Sequence, residues 1–399
     1  MRAAPGTIEA SAIAAFGLPI TTSLKWACGW GFPLGINARI AGSAQTGSAA
    51  APTWSSATRK ASIATSANTN SSSVLSTRRS LRYVNGIGGR FLGTCNFATP
   101  AAGSSQEFGL GDANDALVFG YNATAFGLNL RAGGVDGWIP ASSFSKDKLD
   151  GTGPSGMNLA TRPTTNLHVY GLSYQYLGGG ELRAFMEDSN TGLLFMVHRI
   201  QRAGLFVAMS MLNPQIPVRM AVTNGANTSN LIMQSGSSAA FWEGDPDEAM
   251  TLFGCVPPVK VAGINTTETP IFTLRNPATV GGVTSRIRSK LNSLRVFGDG
   301  TGNNPVTILI RRGATLTGAT YAAGAVGADT YSDYDTAATV VSGGTVIYAG
   351  FFGRLGQPAP IDLTGLRDCL LPGETATVSM FTSATNFDGT ASMSFTEEL

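Results

Sequence analysis

From about residue 76 onward the chain reads as short runs of alternating apolar and polar residues, cut by Gly, Pro, Asn and Asp. In HVYGLSYQY (168–176), Tyr170, Leu172, Tyr174 and Tyr176 fall on one side of an extended backbone, because successive strand side chains point to opposite faces. LGGG (177–180) supplies a tight turn. ELRAFMED (181–188) then alternates Leu182, Ala184 and Met186 against Glu181, Arg183 and Phe185. SNTG (189–192) turns the chain again, and LLFMVHRI (193–200) makes a third strand. The pattern predicts a meander.

Upstream, RYVNGIGGRFLGTCNF (82–97) and ALVFGYNATAFGLNLRAGG (116–134) each read as a strand pair around an Asn/Gly turn. No stretch from 76 to 245 keeps an apolar stripe at the helical period. A second strand-rich block runs from about 250. PVTILIRRGATL (305–316) sets Val306, Ile308 and Ile310 on one face; GGTVIYAGFFGRL (343–355), TATVSMFTSA (375–384) and GTASMSF (389–395) continue it. GGVTSRIRSKLNSLRVF (281–297) leaves room for one short helix. The two blocks meet near WEGDPDEAM (242–250), which is acidic and turn-like. Many short strands at this spacing predict antiparallel sandwiches or barrels.

Residues 1–75 have a different texture. AGSAQTGSAAAPTWSSATRKASIATSANTNSSS (41–73) is small and polar with little hydrophobic period, which predicts an extended arm. Trp26, Trp30 and Trp54 stand out in that background as assembly anchors; the competing reading has them cap the edge of the next domain.

Composition narrows the function classes. Only 13% of residues are charged, about half the usual share. Surface charge opposes association, so the sparse charge fits a subunit of an assembly. Apolar residues reach 43%, enough for a packed core, and Lys+Arg (27) barely exceed Asp+Glu (25). That balance gives no electrostatic case for nucleic acid. The mildly apolar ASAIAAFGLPI (10–20) is broken by Gly17 and Pro19, so neither a signal peptide nor membrane insertion is expected. Cys28, Cys95, Cys255 and Cys369 are far apart and His168 and His198 stand alone. That spacing predicts buried free thiols, no zinc site and no cofactor.

DKLDGTGPSG (147–156) is the one stretch with the residues of a ligand loop. A phosphate-binding loop needs its Lys after the glycines, at a helix start; Lys148 precedes them. An EF-hand calcium loop needs acids at alternate positions and a Glu at the twelfth; here that position is Asn158, which leaves only an irregular calcium site open. The simplest reading is a turn, with Gly151 and Gly153 at positive φ and Pro154 as a stiffener. GPSG (153–156) lacks the strand–elbow–helix setting of a nucleophilic serine. Adjacent Glu187 and Asp188 face opposite sides of a strand and make no hydrolytic pair. No enzymatic activity is expected. Tyr121, Asn122 and Trp138 sit near turns and are the candidate glycan contacts, with ordinary packing as the alternative.

Several ordered segments carry a family likeness: FGYNATAFGLNLRAGG (119–134), SFSKDKLDGTGPSG (143–156), VYGLSYQYLGGGELRAFMEDSNTGLLFMVHRI (169–200), NPQIPVRMAVTNGANTSN (213–230), PIFTLRNPATVGGVTSRIRSKLNSL (270–294) and LPGETATVSMFTSA (371–384). Across 76–399 the chain resembles a virion structural protein family of tailed bacteriophages and large DNA viruses. The resemblance implies a lectin-like jelly-roll followed by a C-terminal β domain; it supplies no catalytic or ligand residues. The expectation is therefore all-β: an N-terminal arm (1–75), a lectin-like jelly-roll sandwich (76–245) and a C-terminal β-sandwich (246–399). Such a chain would be a surface-exposed appendage of tail- or head-fibre type, assembled through its arm and attaching to the host. Its partners would be copies of itself, in a trimer, other virion proteins and a host glycan. The alternatives are a capsid decoration protein and a glycan-binding or glycan-cleaving module.

Overall fold

The structure is a computed structural model and describes residues 24–244, 251–299, 305–321, 330–352, 360–366, 369–383 and 387–398. The described residues form antiparallel strands, two 3-10 turns and no α-helix; no helix is long and apolar enough to cross a membrane. The protein is all-β. It divides into two compact units, Met1–Pro246 and Asp247–Leu399.

The first unit contains β1 (Lys25–Gly31), β2 (Ala41–Thr46), β3 (Thr53–Trp54), β4 (Ala61–Ala64), β5 (Ser71–Leu81), β6 (Gly89–Asn96), β7 (Ser104–Gly111), β8 (Ala116–Asn122), β9 (Ala125–Ala132), β10 (Val135–Pro140), β11 (His168–Tyr174), β12 (Leu182–Glu187), β13 (Leu194–Ile200), β14 (Ile216–Asn224) and β15 (Ile232–Trp242). One sheet runs β13-β12-β11-β6-β15-β4-β3, with β1 also on β15; the second runs β10-β9-β8-β7-β14-β5-β2. The inward faces meet in an aromatic core. Phe97 packs edge-on against Tyr170 with centroids 5.6 Å apart, and Phe91 against Phe108 at 5.4 Å. Each such pair adds about 0.5–1.5 kcal/mol beyond burial. Tyr170, Leu172, Tyr174 and Tyr176 are all buried, as their alternation predicts. Gly133 and Gly134 both have positive φ (57° and 82°), the geometry of the two-residue turn that matches strand twist. This turn folds β10 back onto β9.

The expected arm is corrected. Residues 1–23 lie outside the described residues, but residues 24–75 supply β1 to β4 and part of β5, inside both sheets. Ser71, Ser73 and Leu75 alternate inward, as do Ala61 and Ile63. Small side chains hide the period-two pattern from a hydrophobicity reading, yet they fit a close-packed interior. The partners β14 and β15 supply the hydrogen bonds.

Among its described residues the second unit has two small two-stranded sheets and two five-stranded ones. One is built around Phe387–Glu398, paired with Thr251–Ile264 and Arg288–Asp299. The other is built around Thr375–Thr382, paired with Thr269–Arg275 and Val306–Arg312. Val306, Ile308 and Ile310 are buried in the core between them. No short helix forms among the described residues of 281–297. A bulge between Leu291 and Ser293 instead keeps Leu291, Leu294 and Val296 on the buried side of a strand.

Candidate functional site

The expected site residues separate. Tyr121 points inward, 9% exposed, between Phe97 and Phe126, and its hydroxyl is hydrogen-bonded to Thr164. It is a core residue and no sugar platform. Asn122 is exposed at the β8–β9 turn. Trp138, on β10, pairs directly with Asn129 of β9 and is half-buried on the outer face of the second sheet. Of the tryptophans, Trp30 is corrected from anchor to core: it is 4% exposed and its Nε1 donates to Ser235 Oγ at 3.1 Å. Trp54 caps an edge, donating to the Phe32 carbonyl at 2.8 Å with the Arg59 guanidinium over its ring. Trp26 alone is largely exposed (54%); with Leu92, Val169 and Phe241 it lines an open cavity of about 560 Å³.

DKLDGTGPSG is a self-satisfied turn. Asp147 is buried and accepts N–H bonds from Leu149 and Ser155 at 2.9 Å and the Ser155 hydroxyl at 2.8 Å. Asp150 accepts from the backbone and hydroxyl of Thr152. Gly151 has positive φ (87°), but Gly153 does not. Gly153 is needed because a Cβ there would lie 2.3 Å from the Asp147 carboxylate. Among the described residues no group of three or more His, Cys, Asp or Glu is placed to hold a metal ion.

The richest polar constellation lies around Trp138. Along the outer face of the second sheet, register places Trp138, Asn129, Val118, Gly109 and Arg219 in one row on β10, β9, β8, β7 and β14. Neighbouring rows bring in Asp136, Arg131 and Glu107. Arg131 donates to Asp136 Oδ1 at 2.6 Å, to the Asp112 carbonyl at 3.0 Å and to the Glu107 carboxylate. Arg219 Nε donates to Glu107 Oε2 at 3.0 Å. Asn129 Nδ2 donates to Asp136 Oδ1 at 2.7 Å. These long side chains lie flat on the sheet. Val118, in the same row, is 0% exposed.

Burial alone would lower the Arg131 pKa and raise that of Asp136. The pairing of Arg131 with Glu107 and Asp136 outweighs its burial and raises it; the bonds from Asn129 and Arg131 hold Asp136 below its ordinary value. Both groups stay charged near neutrality. Three residues keep hydrogen-bonding groups open. Asn129 is 4% exposed and its Oδ1 has no partner. Asp136 Oδ2 has no partner among the described residues, on a side chain 58% exposed. The Nη1 and Nη2 groups of Arg219 likewise have none.

The sequence signal for Asn129, Arg131 and Arg219 is faint. Asn129 and Arg131 are the alternate polar residues of LNLR (128–131), and Arg219 is the polar residue of VRM (218–220), each between apolar neighbours. That signal shows polarity but not which strands are neighbours.

No family model matches the chain, and no curated protein matches it. Solved structures with some likeness include arcelin-5, a lectin-like defence protein from Phaseolus vulgaris (9% identity, 54% of this chain, 97% of that chain, TM-score 0.34). Another is the carbohydrate recognition domain of Emp47p (10%, 55%, 97%, TM-score 0.32). A third is a beta-1,3-glucanase from Mycobacterium marinum (9%, 55%, 100%, TM-score 0.36). At these TM-scores the likenesses carry no argument about activity.

Proposed function

We propose that this chain is a non-catalytic adhesion protein of a virus particle, a tail- or head-fibre type appendage whose first unit binds glycan. The observation that carries the binding reading is the outer face of the second sheet. There an aromatic ring, Trp138, stands beside a buried acceptor without a partner, Asn129 Oδ1. Sugar sites combine a ring to stack on with a few convergent polar groups. An unsatisfied buried acceptor costs about 1–3 kcal/mol, a cost that a ligand hydroxyl or a water relieves.

The reading is non-catalytic because Glu107 is engaged on both oxygens, which leaves Asp136 without a second free carboxyl group beside it. Glycoside hydrolysis needs one carboxyl group ready to protonate the leaving oxygen and a second to activate water or attack. Glu107 is clasped by Arg131 and Arg219, which engages both of its oxygens. The virion assignment rests on the resemblance across 76–399 and on the sparse charge, as do the surface location on the particle and a homo-oligomer, a trimer for a fibre.

A second reading, a decoration protein that clamps shell subunits, is favoured by the cavity under Trp26, which a neighbouring subunit could fill. Counting this chain against the main shell protein in purified particles separates the two. An appendage is present at vertex or tail-ring copy number, a decoration protein in fixed ratio to the shell. Binding of the full chain to host-envelope glycan, lost in a Trp138→Ala variant that stays folded at the assay temperature, supports the adhesive reading. Absence of wild-type binding overturns it.

A further inference from the structure

We infer that the outer face of the second sheet selects an anionic oligosaccharide, one bearing a carboxylate or sulfate, and that Arg219 is its specificity-determining residue. The inference rests on the glycan-binding reading and adds the ligand class to it.

Arg219 uses only Nε within the protein, for Glu107 Oε2 at 3.0 Å. Its Nη1 and Nη2 have no partner among the described residues, and neither is a buried orphan. A guanidinium presents its donors as a rigid planar fork, which matches the two oxygens of a carboxylate or two oxygens of a sulfate. Here the inner edge of that fork is anchored on Glu107, on a side chain 15% exposed, and Nη1 and Nη2 are left over for a ligand. The anchoring fixes the fork's direction before a ligand arrives, so little side-chain freedom is lost on binding.

The charges around it balance, two arginines against Glu107 and Asp136, but they are spread unevenly along the face. Glu107 is neutralised by two arginines at once, Arg131 and Arg219. Asp136, the exposed acid of this face, sits on β10, at the far end of the row from β14. Four strand spacings separate β10 from β14, ~19 Å. The face is therefore polarised. Acceptors stand beside Trp138 at one end, suited to neutral ring hydroxyls. Donors stand at Arg219 at the other, suited to an oxyanion. A chain of sugar rings lying across the strands meets both.

The test uses the full chain on an array of neutral, carboxylated and sulfated oligosaccharides, followed by titration of the best binders. Expected binders carry an oxyanion and weaken with salt. Arg219→Gln, which retains a donor for Glu107, lowers their affinity by about tenfold to a hundredfold. Arg219→Lys keeps the charge without the fork, recovers part of the loss and serves as the readout should Arg219→Gln fold poorly. Trp138→Ala weakens every binder, charged or neutral. If neutral glycans bind as well as anionic ones, or if both Arg219 variants bind anionic glycans at wild-type strength, this inference fails while the binding reading survives through Trp138. If no glycan binds, both fail. A preference for carboxylated over sulfated glycans, or the reverse, identifies which oxyanion the fork reads.

Discussion

Arg219 Nε lies 3.0 Å from Glu107 Oε2, and the same carboxylate is held on its other oxygen by Arg131, reaching over from β9. One acid thus ties together two arginines from strands on either side of β7 and β8. Glu107 is the hinge of the outer face of the second sheet, and all three side chains are largely buried.

Replacing Glu107 by Gln leaves Arg219 without its acid and Arg131 with Asp136 alone. Breaking a buried pair from one side costs about 3–5 kcal/mol. Chemical denaturation of the Glu107→Gln variant is expected to show a loss of that order. A change within about 0.5 kcal/mol would mean that the trio is solvated and the flat-lying arginines do not cover the sheet.

Tyr121 and Trp138 give opposite phenotypes. Tyr121→Ala empties a core site and costs about 3–5 kcal/mol, with binding reduced only through unfolding. Trp138→Ala costs about 1 kcal/mol and removes glycan binding. Paired melting and binding curves on both variants check this, and the reverse assignment would return Tyr121 to the surface.

Asp147 organises its loop through hydrogen bonds from the Leu149 and Ser155 backbone and the Ser155 hydroxyl. Its Oδ1 accepts one backbone N–H, and its Oδ2 accepts the N–H and hydroxyl of Ser155. Asp147→Ala is expected to cost about 2–3 kcal/mol by leaving those donors unmatched. Calcium or EDTA leaves the wild-type Tm unchanged. A calcium-dependent rise in Tm that Asp147→Ala abolishes would make this loop a metal site.

His198 links stability to pH. Its ring stacks on Phe144, its Nδ1 accepts the Ser145 N–H at 2.9 Å, and burial pushes its pKa below the ordinary 6.5. The folded state therefore prefers the neutral ring. Its contribution to stability is complete above pH 6.5. It is lost as pH falls from there toward the lower folded value, because the unfolded chain takes up a proton first. His168, also pushed down by burial, acts in the same direction. Tm measured from about pH 8 to about pH 5 should fall less steeply for His198→Gln than for wild type. Identical slopes would show that the ring does not titrate differently on folding.

The strands of the meander were legible because burial imposes a period of two. Tyr170 to Tyr176 and Leu182 to Met186 carry that period in large side chains. The strands before residue 75 carry it in Ser and Ala, which hydrophobicity barely registers. The room left for a short helix in 281–297 is taken by a strand for a related reason. A bulge shifts the phase of Leu291 against Leu294 and Val296, so a bent strand resembles an irregular helix in sequence.

The chain's own order of apolar, glycine and turn residues determined an all-β protein with two strand-rich blocks, because alternation and turn chemistry act over a few neighbouring positions. The tertiary structure alone decided that Tyr121 is core and Trp138 is surface. It also decided that Trp30 is buried while Trp26 is exposed, and that Glu107 meets Arg131 and Arg219. Those outcomes depend on which strands lie side by side and which face of each sheet turns inward. Such pairings join residues as far apart as 107 and 219, and their energies exist only once both sheets have formed.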